Sequence, residues 1–179
     1  MIILMGVAGS GKSLQGRLLA SSLGYSWVST GEIFRNSLSD ERHKELNSGK
    51  LLDDKEVIAL VENTLKTIDD RKKIILDGFP RTIVQAEWLI SQIHQKKFEI
   101  EKVFNLIASH EVVKERLLRR GRDDDNEEVI KERFGEYDTK TMPIIKFFIR
   151  NNIKVHEINS DQKPDLVHRE IMAIIKNIS

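Results

Sequence analysis

The stretch Gly6-Val7-Ala8-Gly9-Ser10-Gly11-Lys12-Ser13 sets the pattern G-x-x-x-x-G-K-S between the apolar run Ile2–Met5 and a segment of helical spacing. No other feature constrains the fold as strongly. Glycines let successive backbone N–H groups turn inward on phosphate oxygens, the helix that follows adds the positive end of its dipole, and the lysine reaches the outer phosphates. Ser13 stands where a hydroxyl would hold Mg²⁺. The competing reading is a strand-to-helix turn that is Gly-rich by accident. With ordinary residue usage, fewer than about 1% of chains of this length would match the pattern by chance.

The rest of the chain supplies a sheet for that loop. Short apolar runs recur at Ile2–Met5, Lys73–Leu76, Lys102–Ile107 and Lys154–Ile158, with a weaker one at Ser26–Val28 after Gly24. Between them lie stretches of helical spacing, and the alternation predicts an α/β fold with a five-stranded parallel sheet. The helical stripes expected to face the core are Leu14, Leu18 and Leu19; Val57, Ile58, Val61, Leu65 and Ile68; Val84, Leu89, Ile90 and Ile93; and Leu166, Ile171, Ile174, Ile175 and Ile178. Two segments fit the alternation poorly and are expected at the surface: residues 29–56, and the charge-dense Arg120–Asn126. The helix starting near Asn126 meets Pro143 inside its pattern, so a kink or break is expected there.

Composition narrows the classes. At 179 residues and 40% apolar content the chain makes about one domain, large enough to bury a core without covalent staples. It contains no Cys, hence no disulfide framework and no Cys-based zinc site, as suits a reducing compartment. Lys and Arg total 29 against 28 Asp and Glu, a net charge of +1 that gives no general field for nucleic acid or anionic membrane. No apolar run approaches the ~20 residues of a membrane span, and with only five residues before Gly6 no leader peptide is expected. A cytoplasmic protein is expected. Its five His residues, 43, 94, 110, 156 and 168, show no ligand-like spacing, and Trp27 and Trp88 read as core.

Three further segments follow the loop in order: Ser29-Thr30-Gly31-Glu32-Ile33-Phe34-Arg35; Asp77-Gly78-Phe79-Pro80-Arg81-Thr82 with Gln85-Ala86; and Asp124-Asp125-Asn126-Glu127-Glu128 with Arg133. Together with the loop they resemble the signature segments of adenylate kinase, within the nucleoside monophosphate kinases, over most of the chain. The resemblance implies a P-loop NTPase-type three-layer fold in a single domain, 1–179, with an NMP-binding insert at about 29–58 and a very short lid at about 120–126. It implies Mg²⁺-dependent, reversible transfer of the terminal phosphoryl group of ATP to AMP, giving two ADP, by a chain that is a monomer. By resemblance, ATP is bound by Gly9, Ser10, Gly11, Lys12, Ser13, Leu14, Arg116 and Arg120, with Arg116 stacked on the adenine. AMP is bound by Thr30, Gly31, Arg35, Leu52, Gly78, Arg81, Gln85, Arg122 and Arg133, with Thr30 and Gln85 reading the base. Lys12, Arg81, Arg120, Arg122 and Arg133 are the implied catalytic cations, and Ser13 with Asp77 the implied Mg²⁺ partners through phosphates and water, with no zinc. Asp124 and Asp125 resemble a pair that anchors the moving lid and contacts nucleotide; Asp125 has a physically sound alternative as the cap of the helix beginning near Glu127.

Physical chemistry agrees with that assignment. Two polyanions must be held in line in a dry site, so several fixed cations must converge on them, and arginine forks stay charged when buried and grip phosphate bidentately. Such a site must open to admit substrate, and closure of residues 29–56 on bound nucleotide is expected, with a smaller movement of the lid. The chain departs from the family pattern at Ala8, at Ser13-Leu14, at Glu32 and at Asp53, and its lid shrinks to Arg120-Gly121-Arg122-Asp123. Its loop looks more like that of gluconate kinases. Two alternatives therefore stay open: another small-molecule P-loop kinase acting on UMP, CMP or gluconate, and a non-catalytic nucleotide-binding regulator.

Overall fold

The computed structural model describes residues 1–37, 53–121 and 126–176. Leu52, Arg122, Asp124 and Asp125, each given a role from the sequence, lie outside the described residues. In chain order the elements are β1 (Ile2–Gly6), α1 (Lys12–Leu23), β2 (Ser26–Ser29), α2 (Thr30–Ser37), α3 (Asp54–Lys66), β3 (Ile74–Asp77), α4 (Ile83–His94), β4 (Lys102–Ile107), α5 (His110–Arg120), α6 (Glu127–Glu136), a π-helical turn (Tyr137–Thr141), α7 (Met142–Arg150), β5 (Val155–Asn159) and α8 (Pro164–Lys176).

All five expected strands form, each within a residue or so of its sequence limits, and they make one parallel sheet of order β2-β3-β1-β4-β5. β1 is central and buried on both faces, which is why Ile2–Met5 is an unbroken apolar run rather than an alternation. Successive side chains go to opposite faces. Ile3, Met5, Ile74 and Leu76 pack with α3, α4 and α7 on one side. Ile2, Leu4, Ile75, Phe104 and Leu106 pack with α1 and α8 on the other, giving three layers. The chain moves outward from β1 to β2, returns through β3, and then crosses β1 to reach β4 and β5. That reversal makes the carboxyl end of β1 the switch point, where a crevice opens between diverging connections.

The helices correct part of the stripe reading. Leu14, Val84 and Leu166 are 47%, 51% and 44% exposed, whereas Leu19, Leu89 and Ile171 are fully buried. Each exposed residue precedes its buried partner by five positions, about 140° around a helix of 3.6 residues per turn, so the two cannot share a narrow face. On α1 the buried positions are Gln15, Gly16 and Leu19. Gly16 is small because a Cβ there would lie 2.7 Å from Cδ1 of Trp27, whose ring fills that space. Trp27 and Trp88 do join the apolar clusters, Trp27 beneath the Arg17 guanidinium at 4.8 Å and Trp88 edge-on to Phe79.

Pro143 acts as expected, with a particular form: α6 widens into the π turn, and the proline then sits in the first turn of α7, where its missing N–H costs least. The cap of α6 is Asn126, whose Oδ1 accepts the Val129 N–H at 3.0 Å, so the capping role considered for Asp125 falls one residue later. Asp53 closes a capping box on α3 with Glu56, which gives that departure from the family pattern a local purpose. Among the described residues no helix is long and apolar enough to cross a membrane.

Burial gives the stability expectation. Leu89→Ala should cost about 2–5 kcal/mol by leaving a cavity under the sheet, whereas Val84→Ala on the same helix should cost under about 0.5 kcal/mol; urea unfolding of the two variants checks it.

Candidate active site

Gly6 ends β1 against β4. Its φ of 134° and the Leu106 carbonyl, into which a Cβ would run, reserve the position for glycine and let the loop turn back over the sheet end. Gly11, with φ 97°, then starts α1. Lys12 lies across the loop, its Nζ donating to the carbonyl oxygens of Gly6 and Val7, both at 2.7 Å. Burial pushes the Lys12 pKa down to about 8; Asp77 opposes the shift, and Arg81, Arg120 and Arg133 reinforce it. A buried lysine set among arginines gathers positive charge at the loop, and phosphate oxygens are what such a site is suited to receive.

Asp77 ends β3 and is buried, and the Ser13 hydroxyl donates to its Oδ2 at 2.6 Å. A hydroxyl and a carboxylate side by side at the phosphate loop are hard oxygen donors that fit Mg²⁺. Among the described residues no three His, Cys, Asp or Glu side chains gather as a metal cluster. A magnesium ion held beside Ser13 and Asp77 would complete its shell from phosphate and water, as that cation ordinarily does.

The next turn is built around the Gly78 carbonyl. Thr30 Oγ1 and Arg81 Nε both donate to it at 2.9 Å. Gly78 has φ 80°, and a Cβ there would lie 2.7 Å from Thr30 Oγ1 and 3.1 Å from Arg81 Nη2, so glycine alone lets both side chains converge. Gln85, buried in the first turn of α4, accepts the Arg81 N–H at 2.8 Å on Oε1 and donates from Nε2 to Asp54 Oδ1 at 2.8 Å.

Two cavities open from this centre. The smaller, about 360 Å³, has Thr30, Asp54, Val57, Thr82 and Gln85 in its lining, none of which lines the larger. The larger, about 670 Å³, runs along the phosphate loop past Ser13 and Leu14 to Arg116, Arg119, Arg120 and Gln162. Ala8, Lys12, Phe34, Gly78, Arg81 and Arg133 line both. Gly31 and Arg35, assigned by resemblance to the AMP side, line the larger cavity; they lie four residues apart and so share one face of α2, while Thr30 lines the smaller cavity from the next position. Arg116 Nη2 donates to the Ser160 carbonyl at 2.7 Å, which holds the guanidinium against the wall of the larger cavity.

The sequence reading missed Asp54, Glu136, Tyr137 and Lys140, all of which line the smaller cavity. Only Asp54 carried a signal, as an acid at a helix start. Tyr137 is set by the π turn and by a hydrogen bond from the buried Asn105 amide to its hydroxyl at 2.8 Å, and neither is a local pattern.

A phosphate loop at the central strand's end, with two cavities meeting at its lysine and at arginines from separate elements, defines a P-loop kinase. The adenylate kinase family model matches residues 4–153. The chain is 37% identical to adenylate kinase 1 of Nostoc sp. over 97% of both chains, and 36% identical to an adenylate kinase of Corynebacterium aurimucosum over 88% of this chain and 93% of that one. It is 40% identical to an adenylate kinase of Parasynechococcus marenigrum over 82% and 83%. The chain belongs to the adenylate kinase family.

The depressed Lys12 pKa carries a pH signature. Bound phosphate favours the charged amine, so Lys12 should contribute proton uptake on ATP binding at pH 8.5 and almost none at pH 6.5, over and above the phosphate's own titration, and affinity should fall as pH rises through about 8. Calorimetry in two buffers of different ionisation heat measures the uptake, and Lys12→Met should abolish the Lys12 contribution.

Proposed function

We propose that this kinase moves the terminal phosphoryl group of ATP to AMP with ATP in the larger cavity and AMP in the smaller. The observation that carries the assignment is the shared wall of Lys12, Gly78, Arg81 and Arg133, because transfer in line requires the phosphates of both nucleotides at one point with their bases at opposite ends. The amides of Gly9, Ser10, Gly11, Lys12, Ser13 and Leu14 wrap the ATP phosphates. Arg116 packs against the adenine and Arg120 reaches the phosphates. Thr30 and Gln85 read the AMP base, while Gly78, Arg81 and Arg133 on the shared wall, with Leu52 and Arg122, hold the rest of the acceptor. Gly31 and Arg35, which line the larger cavity beside that wall, would reach the acceptor's phosphate as the insert closes.

Lys12, Arg81, Arg120, Arg122 and Arg133 offset the charge that spreads over the equatorial oxygens as the phosphoryl group moves. Ser13 and Asp77 would hold Mg²⁺ through phosphates and water; when bound, that ion neutralises the donor's phosphates. Residues 1–179 act as one domain in this reading, a cytoplasmic monomer that works on free nucleotides rather than nucleic acid or membrane, as the net charge of +1 supports.

A coupled assay of ADP formation tests the reaction against AMP, CMP, UMP, GMP and gluconate. AMP should be the preferred acceptor, and Lys12→Ala should lower turnover at least about 10³-fold. Comparable rates with a pyrimidine nucleotide or with gluconate would overturn the assignment. The insert at about 29–58 should close over bound nucleotide and the lid at about 120–126 should move less; hydrogen exchange with a bisubstrate analogue of two adenosines joined through five phosphates should show new protection in residues 29–56.

A further inference from the structure

We propose that Asp54 is a positioning residue that fixes which way the Gln85 amide faces and thereby sets the preference for a 6-amino over a 6-oxo purine monophosphate. The inference rests on the reading of Gln85 as the group that meets the acceptor base.

Asp54 opens α3, and its Oδ1 accepts two hydrogen bonds from the start of α4: from Thr82 Oγ1 at 2.8 Å and from Gln85 Nε2 at 2.8 Å. Thr82 in turn caps α4, its Oγ1 accepting the Gln85 N–H at 3.2 Å. On the other side the Arg81 N–H donates to Gln85 Oε1 at 2.8 Å. The amide is therefore held between a carboxylate oxygen that accepts and a backbone N–H that can only donate. Turning it by half a revolution would set oxygen against oxygen at Asp54 and donor against donor at Arg81. Both ends of the clamp enforce the same orientation.

A side-chain amide has two N–H groups and two carbonyl lone pairs, and this clamp uses one of each. One donor and one acceptor remain, in a fixed order, on a side chain that is only 4% exposed and lines the smaller cavity. Order decides specificity. A 6-amino purine carries a donor at C6 beside an acceptor at N1, and a 6-oxo purine carries the reverse. Without the clamp, a flipped amide would greet the 6-oxo base as well as the native orientation greets the 6-amino base. Buried groups left unpaired by the wrong partner are what make such a site selective.

The test is kcat/KM for AMP and for IMP, with ATP saturating, in the unmodified enzyme, Asp54→Ala and Asp54→Asn. Asp54→Ala removes the acceptor and should lower the AMP-to-IMP ratio by about tenfold or more, through the KM of the acceptor, with the KM for ATP within about twofold. Asp54→Asn keeps an oxygen acceptor and should fall between. In a Gln85→Ala background the Asp54 substitution should no longer change the ratio. An unchanged ratio in Asp54→Ala, a parallel loss with both acceptors, or an undiminished effect without Gln85 would overturn the inference. Calorimetric binding of AMP and IMP to the same proteins reads the discrimination without turnover. Failure of the unmodified enzyme to form ADP from AMP would count against the proposed reaction, and a flat AMP-to-IMP binding ratio across the variants would count against the role of Asp54.

Discussion

Leu4 of β1 pairs in parallel register with Asp77 of β3, and Gly6 with Leu106 of β4. On that pairing the site depends. It aligns the phosphate loop, the buried carboxylate and the turn at Gly78 at one edge of the sheet, close enough for Ser13 to bond Asp77 at 2.6 Å. A slip of one residue would turn Asp77 away from the loop and send the apolar sets of both faces to the wrong layers. Burial of β1 on both sides removes that freedom, because Ile2, Ile3 and Leu4 each fit only their own cluster. The same packing that stabilises the sheet therefore fixes the catalytic geometry.

The charge arrangement works against stability. Below about pH 8 the folded chain must keep the Lys12 ammonium buried beside Arg81, Arg120 and Arg133, with Asp77 the opposing charge. Because the folded pKa lies below the ordinary lysine value, the penalty is present through neutral pH and is relieved as pH rises from about 8 toward that value. Nucleotide phosphates relieve it by a different route, by placing negative charge beside the ammonium. Differential stabilisation of this kind lets ligand binding drive conformational closure.

The legible and illegible parts of this protein divide along a physical line. The inner strands β3, β1 and β4 were readable because central parallel strands are largely apolar, the half-exposed edge strands β2 and β5 more weakly so, and the phosphate loop was readable because its glycines and lysine are contiguous. Helix faces were less readable. Leu14, Val84 and Leu166 looked like stripe members from hydrophobicity alone, yet the sheet touches only a narrow sector of each helix. The π turn at Tyr137–Thr141 gave no signal beyond the proline that follows it, since a widened turn is a response to packing on both sides.

The sequence by itself determined a P-loop, an α/β sheet, a membership in a family and the residue types that must surround phosphate, because each is written in short runs whose conformation is local. The tertiary structure alone decided that Asp54 clamps Gln85, 31 positions away. It also decided that Arg35 faces the larger cavity and that Lys12 and two arginines form the wall common to both. Those facts depend on how helices on both faces of the sheet meet the ends of its strands. Residues far apart in the chain acquire a common geometry only when the sheet has fixed where each helix begins.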